Sequence, residues 1–393
     1  MISEEEARTR ILAKVEPLPA RSVHLIDAID CFAAQTYLAT VPLPGFDNSA
    51  MDGYAVIAAS CNRGSRLRLV GGQPAGLDKQ LSVSAGEAVR IFTGAPVPKG
   101  ADAVVMQEDV TVDGEEVVIN TTVASGEFVR RRGCDVSEGQ KILDTGERIR
   151  AVTAAALASQ GLAGMAVGGK VTVGIISTGD ELKKPGEKLQ PGQIYDGNSV
   201  LLEGLARNCG AAIGSVEHCN DDLGAVTAAL DRGLQQSVLI ISGGVSVGEH
   251  DLVKAALRAL GVTLDIWRVA IKPGKPFLFG RSERSVVFGL PGNPVSSFVT
   301  FLEFVRPAIL RMMGANQGEL RLPTVMAELM EDVAGDAERP HYIRGRLTAG
   351  KFRPVGRQES HAVFGLSQSN ALLRVAAGTS FNRGMTVPVE VWD

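Results

Sequence analysis

The pattern of apolar and polar positions changes character three times along the chain. Over residues 1–40 apolar positions recur at helical spacing, Ile11, Leu12 and Val15, then Ile26, Ile29 and Phe32, which predicts a helix-rich opening. The run VPLPGF at 41–46 ends it, because two prolines and a glycine break a helix. From 46 to about 145 short β-prone runs follow one another, YAVIA, RLRLV, AVRIF, DAVVM and EVVIN, with Gly, Pro and Asp turns between them. Two of these stretches share Gly-Glu-x-Val-Arg, Gly86–Arg90 and Gly126–Arg130, either an internal echo of a barrel-like β unit or a coincidence. Residues 146–170 return to helix, a small-residue helix ending near Gly161 and then a connection.

From 171 strands and helices alternate. VTVGII is a continuous apolar run, as a strand buried on both faces requires. A helix around Ser199–Asn208, strand AAIGSV, helix Leu223–Gln235, strand VLIIS, helix Leu252–Leu260, strand VVFGL and a long helix Val295–Met313 follow. This alternation predicts a doubly wound parallel α/β domain. After Pro323 the chain is β-like again through YIRGRL, KFRPV, ALLRVA and TVPVEVW. The fold class is thus multidomain α/β plus β, with a helical element, an inserted β domain, an α/β domain and a β tail.

At 393 residues the chain has room for two to four domains. With 45% hydrophobic and 21% charged residues it has material for real cores, which excludes general disorder. A net charge of −4 excludes a general nucleic-acid surface. The 45 glycines point to tight turns and close backbone–ligand approach. The five cysteines, Cys31, Cys61, Cys134, Cys209 and Cys219, are widely spaced and contain no C-x-x-C, which argues against a disulfide framework or a structural zinc site. The opening MISEEEARTR is acidic where a signal peptide is basic. The one membrane-span candidate, Ala151–Gly169, is mostly Ala and Gly and carries Thr153, Ser159 and Gln160. A cytoplasmic protein that engages neither membrane nor nucleic acid is expected.

In an open parallel sheet, ligands bind beyond the carboxyl ends of the strands. Those ends carry Ser177-Thr178-Gly179-Asp180-Glu181, Asn220-Asp221-Asp222, SGGVSVGEHD (Ser242–Asp251) and Leu290–Ser296, with IKPGKPF beside them. In SGGVSVG, Gly243, Gly244, Ser246 and Gly248 precede a helix start, a setting that attracts phosphate-like anions. Asn293 is placed to N-cap a helix and Pro294 to occupy its first position. Lys272 and Lys275, on a stiff Pro-Gly-Pro frame, suit an oxyanion. Asp180, Glu181, Asp221, Asp222, Glu249 and Asp251 form an acidic counterpart that a bound cation would reconcile with phosphate. Taken singly, each is as readily an N-cap as a ligand; their joint placement at successive strand ends favours the ligand role. Gly244–Gly248 fits Gly-x-Ser-x-Gly, but Ser242 and Gly243 intervene after the strand and the histidines are badly placed for a serine hydrolase. No Gly-Lys-Ser/Thr follows the glycines, which excludes a P-loop.

Together with PGFDNSAMDGYAV, RIFTGAPVPKGADAVVMQE, RRRGCDVSEGQ, STGDEL, GQIYDGN, ISGGVSVGEHD, IKPGKPF and GLPGNPVSS, these motifs make the chain resemble the molybdopterin molybdenumtransferase family over essentially its whole length. The resemblance implies a linker domain (1–43 with 145–170) split around an inserted β domain (44–144), a molybdopterin-binding α/β domain (171–317) and a C-terminal β barrel (318–393). It implies an elongated homodimer whose cleft is shared between subunits. It assigns catalytic roles to Asp52, Thr93, Asp135, Glu181, Asp221 and Asp251, and Mg²⁺ to Asp221 and Asp251. Substrate contacts fall to Gly243, Gly244, Ser246, Gly248, Lys272, Lys275, Pro291, Asn293, Pro294, Ser296, Arg344 and Ser360. The implied reaction takes adenylylated molybdopterin and molybdate, releases AMP and leaves molybdenum on the dithiolene. Lys272, Lys275, Arg344 and Ser360 would make the oxyanion pocket. The adenylyltransferase of the pathway and recipient molybdoenzymes are the implied partners. RQESHAVFGLSQSN is only loosely like the family's glycine-rich form around Ser360, and Arg268 stands where many relatives have lysine. Two alternatives are an adenylyltransferase-like enzyme, against which the residues before 171 and after 323 count, and a non-catalytic molybdopterin-binding scaffold.

Overall fold

The computed structural model describes residues 1–244 and 252–392. The chain divides into two compact units, one of Met1–Gln35, Asp144–Ala155 and Leu162–Asp393, the other of Thr36–Leu143 and Ala156–Gly161.

A seven-stranded sheet lies at the centre of the first unit. Four parallel strands stand in the spatial order Ala212–Cys219, Thr172–Thr178, Val238–Ser242, Val286–Leu290. Both of the last two are buried along their whole length, which is why they read as unbroken apolar runs. Successive residues point to opposite faces and into different cores. Val173, Ile175, Ile240 and Phe288 enter one cluster, whereas Ile176, Leu239, Ile241 and Val287 enter another. Two covered faces are the doubly wound arrangement. The sheet is then extended by an antiparallel hairpin, Thr263–Ala270 and Pro276–Arg281, with Ile2–Ser3 at its edge. IKPGKPF forms the turn of that hairpin, so both lysines sit on a connection held at each end by a strand.

The expected long helix runs as Pro294–Thr300, a π segment Phe301–Val305, and Arg306–Met312. Pro307 has no N–H for the carbonyl of Glu303, which instead accepts from Arg8 Nε at 3.4 Å.

Two readings at the start of the chain need correction. Only Glu4–Lys14 is an α-helix, capped by the Ser3 hydroxyl accepting from the Glu6 amide. Beyond Pro17 and Pro19, Arg21–His24 is a strand, and Leu25–Ala28 is a single 3-10 turn. The partner of that strand is Gly164–Val167, in the region expected to be helix and connection. There the helix stops at Ala158.

The C-terminal region closes into a five-stranded barrel, Thr324–Leu329, Lys351–Pro354, His341–Thr348, Ala371–Val375 and Thr386–Val391, around Leu329, Ile343, Phe352, Leu373 and Val389. The second unit holds a six-stranded sheet in the order Ala103–Met106, Gly53–Val56, Glu87–Ile91, Arg66–Gln73, Glu116–Ile119, Val110–Asp113. The Gly-Glu-x-Val-Arg copies are not equivalent in it. One lies on the strand Glu87–Ile91; of the other, only Val129–Arg130 pairs, with Asn48–Ser49. Among the described residues no helix is long and apolar enough to cross a membrane, and all five cysteines are free thiols.

Candidate active site

A cleft of about 910 Å³ opens where the parallel strands of the first unit end. That is the size of a cofactor-scale ligand. Gly243 and Gly244 enter it directly after the strand Val238–Ser242. Both have positive φ, +88° and +64°. A Cβ on Gly244 would stand 2.7 Å from Thr178 Oγ1 and from Val253 Cγ2, so only glycine lets the chain turn here. Ser246, Gly248, Glu249 and Asp251 lie outside the described residues.

Pro291, Asn293 and Ser296 line the cleft after the strand Val286–Leu290, while Pro294 takes the first position of the helix. Asn293 does not act as the expected side-chain cap. Its Nδ2 donates to Ser360 Oγ at 2.9 Å, and the Val295 amide donates to the Ser360 carbonyl at 3.0 Å. Ser360, from the barrel region, is thereby seated on the helix start and lines the cleft. Asn198, in the GQIYDGN motif, ties the two strand-end loops together, donating to Ser242 Oγ at 2.9 Å and to the Gly292 carbonyl at 2.7 Å. Asp196 in turn caps its helix, accepting from the Ser199 amide at 3.0 Å.

Lys272 and Lys275 line the same cleft. The Lys272 backbone is clipped to the barrel, its amide donating to Pro340 O at 2.9 Å and its carbonyl accepting from Tyr342 N at 2.8 Å. Its ammonium lies 3.1 Å from Asp336. Arg339 and His341 also line the wall. Burial first, then the Lys272 charge, pushes the His341 imidazole down to about 4, so it is neutral at neutral pH.

Arg344 departs from expectation. It is 1% exposed, and its guanidinium donates to the backbone carbonyls of Arg357 and Glu359. Those bonds hold the chain segment that carries Ser360. Burial, the leading cause, also lowers its pKa. Arg344 therefore supports the cleft wall and is not among the residues that line it.

The acidic set splits in two. Asp222 caps the helix Leu223–Gly233, accepting from the Ala225 amide at 2.8 Å. Asp221 is left with its amide on Asp180 Oδ1 at 3.2 Å. Its carboxyl is raised above the usual range, by burial first and then by the charges of Asp180 and Glu181. Crowded carboxylates of this kind are relieved by a hard cation, and their oxygens are the donor type Mg²⁺ takes. Among the described residues no three His, Cys, Asp or Glu side chains converge as a metal site.

In the second unit, Asp52 Oδ1 accepts from both the amide and the hydroxyl of Thr93, at 2.8 and 2.7 Å. The Thr93 amide is the main reason its carboxyl lies below the usual range. The loop bearing Asp52 is stitched to its neighbours: Ser49 N donates to Ala95 O, Gly94 N to Ser49 O and Ala50 N to Phe128 O. Asp135 is exposed, its amide on Leu43 O at 3.0 Å.

Three family models match the chain in order. Residues 2–161 match the "MoeA N-terminal region (domain I and II)", 174–311 the "Probable molybdopterin binding domain", and 326–392 the "MoeA C-terminal region (domain IV)". The molybdopterin molybdenumtransferase of Haemophilus influenzae is 34% identical, over 100% of this chain and 99% of that one. The chain belongs to the molybdopterin molybdenumtransferase family. A second relative in the family, molybdopterin molybdenumtransferase 2 of Mycobacterium tuberculosis, is 35% identical over 91% of this chain and 90% of its own. The crystal structure of the molybdopterin biosynthesis moeA protein from Pyrococcus horikoshii OT3 superposes with a TM-score of 0.87 at 28% identity, covering both chains fully. The family resemblance did not point to Asn198, Arg339 or His341, which lie inside or beside its motifs; to Asp336 there was no signal.

Proposed function

We propose that this protein is a molybdopterin molybdenumtransferase. It takes adenylylated molybdopterin and molybdate, releases AMP in a Mg²⁺-dependent reaction and leaves molybdenum on the dithiolene. The observation that carries this reading is the composition of the cleft. A glycine turn and a helix start suited to phosphate face Lys272, Lys275 and Arg339, which suit a tetrahedral dianion. Gly243, Gly244 and the Pro291–Ser296 loop hold the pterin phosphate side; the lysines and Ser360 hold molybdate. Asp221, with Asp251 and near Glu181, would hold Mg²⁺, whose chemistry is neutralisation of charge on the cleaved phosphoanhydride. Asp52, Thr93 and Asp135 serve the cleft of a partner subunit in a homodimer, and the four-domain division at 43/44, 144/145, 170/171 and 317/318 underlies that arrangement. The setting is the cytoplasm, with the pathway's adenylyltransferase supplying substrate and molybdoenzymes receiving product.

An adenylyltransferase reading would account for residues 174–311 alone and leaves the matches at 2–161 and 326–392 without a role. The test is to incubate the protein with adenylylated molybdopterin and Mg²⁺, with and without molybdate, and to measure AMP. Molybdate-dependent release is expected; its absence would sink the transferase reading. A monomer by sedimentation would refute the shared site.

A further inference from the structure

We propose that Asp336 is an internal counter-anion of the cleft: it competes with the bound oxyanion for Lys272 and so limits how tightly molybdate is held. This rests on the anion-cleft reading above and deepens it.

Two of the cations lining the cleft are already engaged. Asp336 Oδ2 lies 3.1 Å from Lys272 Nζ and 3.4 Å from Arg339 Nη2. The carboxylate is built in place. Its Oδ1 accepts from the amides of Glu338 and Arg339, each at 3.0 Å, and its side chain is 16% exposed. The Glu338 amide first, and Lys272 second, hold the carboxyl far below the usual range, so it is an anion at every physiological pH. Lys272 has its backbone fixed on both sides by Pro340 and Tyr342, which leaves the resting place of the ammonium to Asp336. Lys275 is exposed on the same wall and has no ion pair among the described residues. The neutral His341 adds no charge.

A tetrahedral dianion entering this cleft meets one unengaged lysine, Lys275, and two cations shared with Asp336, Lys272 and Arg339. It must share or draw the Lys272 ammonium away, and it feels the Asp336 charge a few ångströms behind it. Opposite charges at this separation in a partly exposed site couple strongly enough to change affinity about 3- to 30-fold. The device trades affinity for exchange, which a site that must pass its metal on requires.

The substitution Asp336→Asn keeps the Oδ1 acceptor and removes the charge. Equilibrium dialysis of the full chain against molybdate should show about 3- to 30-fold tighter binding than wild type, with the gain shrinking as ionic strength rises. In turnover, half-saturating molybdate should fall while the maximal rate does not rise, a split that a purely structural lesion does not produce. Asp336→Glu keeps the charge and should stay near wild type. Equal or weaker binding by Asp336→Asn, or equal tightening by both variants, overturns the proposal. Should Asp336→Asn not fold, the lysines decide. Lys272→Gln should weaken molybdate binding less than Lys275→Gln, because its charge is already shared, and the reverse order overturns the proposal. Tighter binding by Asp336→Asn, with no AMP release from the wild-type protein, would sink the transferase reading alone. Normal AMP release with unchanged affinity would sink this inference alone.

Discussion

Replacing Glu390 by glutamine should stabilise the protein at pH 8 while changing little at pH 5. Glu390 sits on the last barrel strand, Thr386–Val391, opposite Thr324 and Leu372. Its Oε2 is buried and has no hydrogen-bond partner among the described residues. Around it lie Glu303, in the π segment, and the guanidinium groups of Arg8 and Arg321. Glu4 is buried in the same region, under the Tyr342 hydroxyl at 3.2 Å and paired with Arg374. Arg8 pairs with Glu303, and among the described residues Glu390 has no ion pair of its own. Burial is the main reason its pKa is pushed up to about 7, and the neighbouring Glu303 charge the second; Arg8 and Arg321 oppose them.

The sign follows from linkage. The folded state keeps a proton that the unfolded chain loses near pH 4.5, so stability falls as pH rises from about 4.5 to 7. A carboxyl raised this far makes folding about 3 kcal/mol less favourable at pH 8 than below pH 4.5. Glu303 shares the titration, so this is an upper figure for one substitution. Glutamine keeps the shape and does not titrate. Melting curves of both proteins from pH 5 to 8 should show the midpoint of Glu390→Gln gaining on wild type by something on the order of 5 °C across that range. A difference independent of pH would refute the argument, because a packing or hydrogen-bond effect of the amide has no reason to follow proton uptake.

Asn198→Ala removes two hydrogen bonds, each worth about 1 kcal/mol, that tie Asn198 to the two loops proposed to hold the pterin phosphate. The kcat/KM for adenylylated molybdopterin should fall about 10- to 30-fold while the melting midpoint drops by only about 2–4 °C; an unchanged kcat/KM would remove Asn198 from the site's support. Arg344→Lys loses the donors to Arg357 and Glu359 and should destabilise the barrel region by about 2–4 kcal/mol. Molybdate affinity should drop only in step with that loss. A variant as stable as wild type yet unable to bind molybdate would restore Arg344 as a direct ligand.

Legibility differed between regions for physical reasons. Val238–Ser242 and Val286–Leu290 announce themselves because burial on both faces demands unbroken apolar runs. Thr263–Ala270 does not, since two register irregularities in its pairing break the alternation that would mark a half-buried strand. Arg21–His24 is only four residues long, and its partner lies far away at 164–167. In the site, residue type marked the glycines and lysines. Partnership did not show, because Asn198 meets Gly292, Asn293 meets Ser360 and Lys272 meets Asp336 only after folding. Arg344 shows how burial changes partnership: a guanidinium is a good oxyanion ligand by chemistry, and here it is buried with its donors on the Arg357 and Glu359 carbonyls.

The barrel region is part of the cleft and not an appendage. Tyr342, Leu366 and Leu372 join the same apolar cluster as Val295 and Phe298 of the cleft helix. Phe298 meets Trp392 edge-on at 4.9 Å. The strand His341–Thr348 extends from the bridge to Lys272, and Ser360 is seated on the helix start. Removing the barrel would therefore take Ser360, Arg339 and His341 from the cleft, remove Asp336 from beside Lys272, and release Lys272 from its backbone anchor. What remains, the glycine turn, the Pro291–Ser296 loop and the two lysines, keeps cationic charge for an oxyanion but loses Ser360 and Arg339 and leaves Lys272 unanchored. On the proposed function, the α/β domain would recognise the pterin and carry both lysines, and the barrel region would add Ser360 and fix Lys272, completing the oxyanion side of the cleft.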